Sequence, residues 1–174
     1  MKLALDDKAA NGGANGGSGV EVSELPVVEV ELYADVVPLT AENFRCLCTG
    51  EAGSVKVTKK RTVRLHYAGT AVHRVVPGFI VQGGDVTNSA GGTGGRSIYG
   101  ATFEDEGFLV KHRGAGELLM ANAGHQHNNH SQFAVAMGRI TEFESNYVIF
   151  GAVQSGMDVL RRVELARAGE GITA

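Results

Sequence analysis

The sequence predicts a mainly β protein that folds as a single domain with two α-helices. Glycine occurs 25 times in 174 residues, a frequency typical of many turns between short strands. Apolar and polar residues alternate in short runs, as in the segment from Pro26 to Tyr33, which is the spacing of a half-buried strand. Helical spacing is confined to two segments, and a chain of this length can bury a substantial core in one domain.

Further strands are predicted at the N-terminus and in the second half of the chain. Met1 to Asp7 is interpreted as a short strand at the N-terminus. Val86 to Gly100 is rich in glycine and is predicted to form a long surface loop. The later predicted strands are Leu118–Ala121, Gln132–Met137 and Tyr147–Val153.

Two helices are predicted from local signals. The first begins at Pro38, because proline suits the first turn, and ends at Thr49-Gly50, because glycine suits the left-handed cap position. Glu42 is expected near the positive end of this helix. The second covers Asp158 to Ala166. The residues predicted to face inward are Ala41, Phe44, Leu47 and Cys48 in the first helix, and Val159, Leu160 and Val163 in the second.

Two segments differ in composition from the rest of the chain. Residues 8–19 are rich in Gly and Asn and lack an apolar anchor, so we predict a flexible loop or tail rather than a domain boundary. Residues 51–64 are basic, with valines between the cations. This basic segment is either a contact surface for an acidic partner or a solvated loop or hairpin. Its cations are Lys56, Lys59, Lys60, Arg61 and Arg64.

Charge and cysteine content restrict the function. The formal net charge is −3 at pH 7, whereas a nucleic-acid-binding domain is expected to present a basic surface. Cys46 and Cys48 are too close in the chain for an unstrained bridge, so free thiols and a reducing compartment are predicted. The sequence shows no signal peptide and no apolar run that could span a membrane. We therefore expect a soluble, cytoplasmic monomer without nucleic-acid or membrane partners.

The central stretch from Val72 to Asp85 carries the candidate functional residues. Two apolar runs flank Pro77-Gly78 and predict two short strands joined by a tight turn. Since side chains alternate between the faces of a strand, Arg74, Phe79 and Gln82 can meet on one surface. There they could hold an apolar ligand that also has amide groups. The alternative is a buried strand pair with an incidental surface arginine.

Two other patterns are considered and rejected as sites. His125, His127 and His130 could ligate zinc or copper, but no nearby carboxylate or thiolate completes the set, so no metal site is predicted. Gly91 to Gly95 lacks the Lys-Ser/Thr ending and the strand-to-helix setting of a phosphate-binding loop. A nucleotide site is therefore excluded.

Several motifs in the chain resemble those of the cyclophilins, the cyclosporin-type peptidyl-prolyl cis-trans isomerases. The likeness covers most of the chain between Val27 and Leu165, in family order, and departs from the family at the basic segment. Many motifs in register are far more specific than any one of them. Besides Val72–Asp85, the matching motifs are Gly92–Gly100, Phe103–Glu106, Met120–Gly124 and Ser131–Phe133.

The resemblance implies a closed eight-stranded antiparallel β-barrel capped by the two helices. In the family, a final strand after the second helix closes the barrel. Here Gly169-Glu170-Gly171 leads only to Ile172-Thr173-Ala174, so either that strand is missing or closure is incomplete. An open edge would leave backbone groups unpaired.

The resemblance also implies catalysed rotation about the peptide bond that precedes proline, with no cofactor and no metal. Arg74 matches the position of the family's catalytic donor. The other matching positions are Phe79, Ile80 and Phe133 in the floor of the proline pocket, Gln82 and the backbone around Asn122 as anchors for peptide carbonyl groups, and Ala121 and Gln132 in the neighbouring groove.

Four pocket positions depart from the family pattern. Ala134 stands where the family usually has a second Phe, and Glu142 where most cyclosporin-sensitive members have Trp. Phe143 replaces a leucine, and Tyr147 replaces a histidine at the pocket rim. Phe143 could fill part of the space that Ala134 leaves. Weakened isomerase activity and weak cyclosporin binding are expected.

Two functions are compatible with these residues. The first is an isomerase that acts on proline-containing peptides and folding proteins, and the intact Arg74, Phe79 and Gln82 favour it. The second is a binding module that recognises a proline-containing partner and isomerises it weakly. Ala134 and Glu142 favour this second function.

Overall fold

The fold follows the predicted mixture of short strands and two helices. A computed structural model describes residues 2–4, 27–141 and 145–169. Helix α1 covers Pro38–Thr49 and helix α2 covers Met157–Gly169, so both predicted helices are confirmed. The strands are β1 (Lys2–Ala4), β2 (Val27–Leu32), β3 (Ser54–Thr58), β4 (Arg61–Arg64), β5 (Val72–Val76), β6 (Ile80–Gly83), β7 (Glu117–Met120), β8 (Phe133–Ala136) and β9 (Ile149–Ser155).

The strands form two antiparallel sheets rather than one closed barrel. The larger sheet has the order β1-β2-β9-β7-β8-β6-β5, and β3 and β4 form a separate hairpin. The predicted closed eight-stranded barrel is therefore wrong for the described residues, since β1 and β5 are edges that do not pair with each other. Helix α2 contacts both β2 and β5, so side-chain packing rather than a strand covers this side of the core. Residues 170–174, at the position where the family has its closing strand, lie outside the described part of the chain.

Four aromatic rings form the centre of the core. The ring of Phe44 on α1 lies 5.3 Å from Tyr67, 5.0 Å from Phe133 and 5.1 Å from Phe150, centroid to centroid. The arrangements are tilted or edge-to-face, which are the favourable geometries for aromatic pairs. Helix α2 adds Val159 and Leu160 to the same core. These contacts fix α1 and β8 against each other, and β8 carries part of the candidate site.

The N-terminus of α1 is capped from a distant part of the chain. The Glu106 carboxylate accepts hydrogen bonds from Leu39 N at 2.9 Å and from Thr40 N at 2.6 Å, which satisfies donors that the helix leaves unpaired. Glu42 was expected to lie near the positive end of this helix and to offset its partial charge. In the structure its carboxylate is paired with Arg45 at 2.8 Å. At the other end Gly50 adopts the left-handed conformation with φ 72°, as predicted.

The remaining segments are assigned as follows. The basic segment contains the β3–β4 hairpin, one of the predicted alternatives. The long loop after β6 is confirmed and contains a short 3₁₀ turn at Ala90–Gly92. The Gly/Asn-rich residues 8–19 lie outside the described residues. Neither of the two described helices is long and apolar enough to cross a membrane.

Candidate functional site

A tight turn places the central candidate residues next to one another. Phe79 N donates to Val76 O at 3.0 Å across Pro77-Gly78, and Gly78 has φ 72°. Proline followed by a residue with positive φ is the arrangement of a type II turn. The predicted turn is thus confirmed. It pairs β5 with β6 so that Arg74 lies opposite Gln82.

The strand register continues this pair into a row across the sheet. Gln82 on β6 lies opposite Ala134 on β8, and Ala134 lies opposite Leu119 on β7. Residues directly opposite on neighbouring strands project from the same face. Arg74, Gln82, Ala134 and Leu119 therefore share one face of the sheet, the face that points away from the aromatic core. We call this the outer face.

A bulge in β5 adds a histidine to this arrangement. Val72 lies opposite Gly83 and Arg74 opposite Gln82, so His73 is an extra residue on its strand. Bulges of this kind redirect neighbouring side chains. The His73 ring lies against Gly92, where a Cβ atom would overlap the ring. Its Nε2 lies 3.1 Å from Gln132 Oε1. The sequence did not indicate this residue, because a bulge becomes evident only from the register.

The Arg74 guanidinium is exposed and lightly held. Its Nη1 approaches Gln82 Oε1 at 3.4 Å, which is a long hydrogen bond. Among the described residues Gln82 is its sole hydrogen-bond partner, and Arg74 forms no described ion pair. Most of its five donors are therefore available to a ligand on the outer face.

A second cluster of apolar side chains, which we call the apolar patch, lies beside this arginine on the outer face, with its centre buried and its border partly exposed. Ile80, Leu119 and Ala134 are buried within it, and Phe79 and Tyr147 pack against it while partly exposed. Ala134 is 1% exposed, so its methyl group is almost fully covered by its neighbours and forms no projecting wall. The patch thus brings together four of the predicted pocket residues, namely Phe79, Ile80, Ala134 and Tyr147.

One other predicted pocket residue, Phe133, is not part of this patch. Phe133 projects into the aromatic core, where its ring lies 5.2 Å from Tyr67. Since successive strand residues point to opposite faces, Phe133 and its neighbour Ala134 cannot both face the patch. Phe143 lies outside the described residues. Phe133 therefore contributes to the site by fixing β8 against the core.

Gln132 links the outer face to the glycine-rich loop. Its Oε1 accepts a hydrogen bond from Gln82 Nε2 at 2.8 Å. Its Nε2 donates to Gly92 O at 2.7 Å and to Gly94 O at 2.5 Å. The side chain is nearly fully buried at 4% exposure, so these bonds are shielded from water and costly to break. Gln132 was predicted to line a groove, and the structure places it as a connection between β6, β8 and the loop.

Asp85 holds the other side of the same loop. Its carboxylate accepts from Thr87 N at 2.9 Å, from Gly94 N at 3.0 Å and from the Ser89 hydroxyl. Burial acts to raise the pKa of Asp85, but the hydrogen bonds from Ser89, Thr87 and Gly94 outweigh it, and the pKa lies below its ordinary value. The loop carbonyls that meet Gln132 are thereby fixed in place.

The segment after β7 forms the other border of the face. Ala121 N donates to Gln132 O at 3.1 Å, which places Ala121 beside the Gln132 backbone. The Asn122 side chain is buried, with Nδ2 donating to Asn146 O at 2.9 Å and Oδ1 accepting from Gly124 N at 3.0 Å. The side-chain amide of Asn122 is therefore used to shape the loop, and its backbone carbonyl also accepts a hydrogen bond from His125 N at 3.0 Å.

The candidate metal-binding histidines do not share one group of ligand atoms in the described part of the chain. His127 lies 3.6 Å from the Asp105 carboxylate, but in the described part of the chain none of the three histidines belongs to a group of three or more potential ligands. The described residues do contain such a group in Glu42, Cys46 and Glu51, whose ligand atoms lie within 4.8 Å of one another. Arg45 already bonds both of these carboxylates, at 2.8 and 2.5 Å. Its guanidinium occupies the place that a cation would take.

The two thiols are free and protonated at neutral pH. Burial raises the pKa of Cys46 to about 11, and burial raises the pKa of Cys48 to about 12. A thiol with such a pKa is a poor nucleophile at neutral pH, because the reactive form is the thiolate. Neither cysteine is a candidate for covalent chemistry.

The outer face therefore combines an exposed guanidinium, two side-chain amides and an apolar patch. This combination suits a ligand with an apolar ring flanked by amide groups, and it belongs to a mainly β protein with an open sheet. A family model described as cyclophilin type peptidyl-prolyl cis-trans isomerase/CLD matches residues 19–172. The match covers well over half of the chain. The chain therefore belongs to the family of cyclophilin-type peptidyl-prolyl cis-trans isomerases.

Proposed function

We propose that this protein catalyses rotation about X-Pro peptide bonds in peptides and folding proteins. The observation that carries the proposal is the row from Arg74 to Ala134, which places an available guanidinium beside an apolar patch. In this proposal the prolyl ring of the substrate binds to the patch. The Arg74 guanidinium is then next to the peptide bond on the N-terminal side of that proline.

The chemical need is to stabilise a twisted amide. Rotation about a peptide bond has a barrier of about 18–20 kcal/mol, because the nitrogen shares its lone pair with the carbonyl. In the twisted transition state that sharing is lost and the lone pair returns to nitrogen as an acceptor. A donor aimed at this nitrogen binds the twisted form better than the planar form, which is the requirement for catalysis.

Arg74 is suited to this role for two reasons. It stays protonated and presents its donors in a rigid planar fork. It is also held by one long hydrogen bond to Gln82, so donating to a substrate breaks little existing structure. The reaction needs no proton transfer, nucleophile or cofactor.

The rest of the outer face is assigned to holding the peptide. The prolyl ring is placed on Phe79, Ile80, Ala134 and Tyr147, and Phe143 remains a sequence-based member of this pocket. Gln82 and the Asn122 N–H are assigned to substrate carbonyl groups. Ala121 and Gln132 border the groove next to the glycine-rich loop. Holding one side of the proline leaves the other side free to rotate.

A second candidate function is a binding module with little catalytic activity. The observation that favours it is the small, buried Ala134 at the centre of the patch, which offers a prolyl ring no aromatic wall. In this alternative the protein would bind the planar peptide but would not stabilise the twisted transition state more strongly. The two functions differ in turnover and not in binding.

The decisive experiment measures both quantities on one substrate. Cis-trans exchange of a short Ala-Pro peptide would be followed by a protease-coupled assay, and its affinity by NMR titration. For Arg74→Ala we expect kcat/KM to fall by about a hundredfold or more, since one donor to the developing charge is worth about 2.7–4 kcal/mol. Affinity should fall much less.

Arg161→Ala on helix α2 is the matched control, because Arg161 is an exposed arginine far along the chain from the site. It should retain the wild-type rate. Wild-type protein that binds the peptide without accelerating exchange would support the binding module instead. An Arg74→Ala variant with more than half of the wild-type activity would overturn the assigned mechanism.

A further inference from the structure

The β3–β4 hairpin carries a concentrated positive charge on an otherwise acidic chain. Residues 51–64 contain five of the 16 Lys and Arg residues but one of the 19 Asp and Glu residues. The segment thus has a net charge of +4, and the rest of the chain has a net charge of −7. Such a charge asymmetry attracts an acidic partner to one place on the surface.

The hairpin is anchored on one side and open on the other. Val55 and Val63 lie opposite each other in the register, and both pack against the main core. Since side chains alternate, Lys56 and Arg64 project from the opposite face, which points to solvent. Lys59 and Lys60 form the turn between the strands.

The five cations are exposed, and the structure shows no described acidic partner for them. None of them takes part in an ion pair with a described residue, and the described ion pairs of this protein involve other cations. Arg61 Nη2 donates to Thr87 O at 2.7 Å, which ties the end of the hairpin to the loop after β6. The cationic face is therefore held in a fixed position on the protein.

The geometry favours a short acidic polypeptide over a nucleic acid. The five residues of β3 span about 17 Å at about 3.4 Å per residue, which matches a short extended segment. A longer polyanion would extend beyond the hairpin toward the rest of the chain, whose net charge is −7. Residues 51–64 also contain no aromatic residue, whereas proteins that bind single strands stack bases on aromatic rings.

The hairpin also offers backbone groups for pairing. In the described structure β3 and β4 pair only with each other, so each has an open edge. An extended peptide can add to such an edge and place alternate side chains on one face. We propose that the β3–β4 hairpin is a docking surface for an acidic polypeptide segment, whose carboxylates face Lys56, Arg64 and the lysines of the turn.

The test uses a probe that cannot engage the proline pocket. A fluorescein-labelled hexapeptide of alternating Glu and Ser, which has no proline and spans about 20 Å when extended, would be titrated with the full chain at low salt. A peptide with Gln in place of Glu is the neutral control. We expect saturable binding of the acidic peptide, weakened by added salt, and no binding of the neutral one.

Two triple variants with equal changes in charge locate the surface. Lys56→Gln/Lys59→Gln/Lys60→Gln removes three cations from the hairpin, and Lys111→Gln/Arg139→Gln/Arg161→Gln removes three exposed cations elsewhere. The hairpin variant should bind about tenfold more weakly, as expected from the loss of three exposed ion pairs. The control variant should change by less than about twofold.

Three outcomes would overturn the proposal. They are no binding to the wild type, equal weakening in both triple variants, and tighter hairpin-dependent binding of a 15-nucleotide single-stranded DNA than of the peptide. Thermal melts of both variants check that the fold is intact. Because the probe lacks proline, the result does not depend on whether the protein is an isomerase.

Discussion

Arg74 lies directly opposite Gln82 across the β5–β6 pair, with Nη1 and Oε1 3.4 Å apart. Gln82 in turn donates to Gln132 at 2.8 Å, and Gln132 donates to two carbonyl groups of the glycine-rich loop. The arginine that carries the proposed chemistry is thus oriented by a side chain that the loop itself helps to fix.

The first prediction concerns the orientation of Arg74. Gln82→Leu removes the acceptor at Oε1 and should lower kcat/KM for an Ala-Pro peptide by about tenfold, a loss of about 1.4 kcal/mol. Gln82→Glu keeps an acceptor beside the guanidinium and should retain more activity. A Gln82→Leu variant with the wild-type kcat/KM would show that Arg74 needs no such partner.

The second prediction concerns the buried amide of Gln132. Gln132→Leu leaves the Gly92 and Gly94 carbonyls without their donor, and we expect a loss of about 1–3 kcal/mol in the free energy of unfolding. The measurement is urea denaturation, with hydrogen exchange of the Gly94 amide as a local readout. Exchange at Gly94 should accelerate more than exchange at Leu118 in the core.

Gln154→Leu is the matched control for Gln132. Gln154 also donates from its amide, to Glu31 at 2.8 Å, but at an exposed position. Its loss should change the unfolding free energy by less than about 0.5 kcal/mol. Equal effects of the two substitutions would contradict the role assigned to the buried amide.

The third prediction is a pH dependence that comes from His130. Burial lowers the pKa of His130 although the charge of Asp85 opposes this, and its Nδ1 accepts a hydrogen bond from Gln132 N at 3.1 Å. The unfolded chain, with a histidine pKa of about 6.5, binds a proton more readily than the folded protein. Stability is therefore full above that pH and falls as the pH drops toward the lower, folded pKa.

Urea denaturation at pH 7.5 and pH 5.5 tests the His130 prediction. His130→Asn supplies an amide oxygen in place of Nδ1 and cannot be protonated, so its stability should depend less on pH than that of the wild type. His125→Asn, at an exposed position, should keep the wild-type dependence. Identical pH profiles for all three proteins would show that His130 does not titrate in this range.

The fourth prediction concerns cyclosporin. Residue 142 lies outside the described residues, and the sequence resemblance places Glu142 where most cyclosporin-sensitive family members have Trp. We expect cyclosporin to inhibit the Glu142→Trp variant more tightly than it inhibits the wild type. The indole N–H restores a hydrogen bond to the drug worth about 0.5–1.5 kcal/mol, and the substitution removes a carboxylate charge that would lie beside an apolar ligand. Equal, tight inhibition of both proteins would show that position 142 does not control the drug site.

The sequence by itself determined the parts of the fold that depend on neighbouring residues. Pro77-Gly78 fixes its turn because the two residues have the dihedral angles that the turn requires, and Gly50 ends α1 for the same reason. The segments with helical spacing became helices, and the alternating runs became strands. The family was also evident at this level, since its motifs are short runs in a fixed order.

Only the tertiary structure decided which of these residues meet. Phe133 and Ala134 are neighbours in the sequence, yet one lies in the core and the other under the proposed pocket, because a shift of one residue in a strand reverses the face. Glu106 caps a helix that begins more than 60 residues earlier, and Gln132 reaches carbonyls 38 and 40 residues away.

The open edge of the large sheet was also decided by the tertiary structure. In the described residues β5 pairs with β6 on one side only, and α2 packs against β5 and β2. No local pattern specifies that packing. Contacts of this kind are set by register and by the shape of the core. Local propensity acts over a few residues, so the sequence predicted the elements and the tertiary structure determined the site.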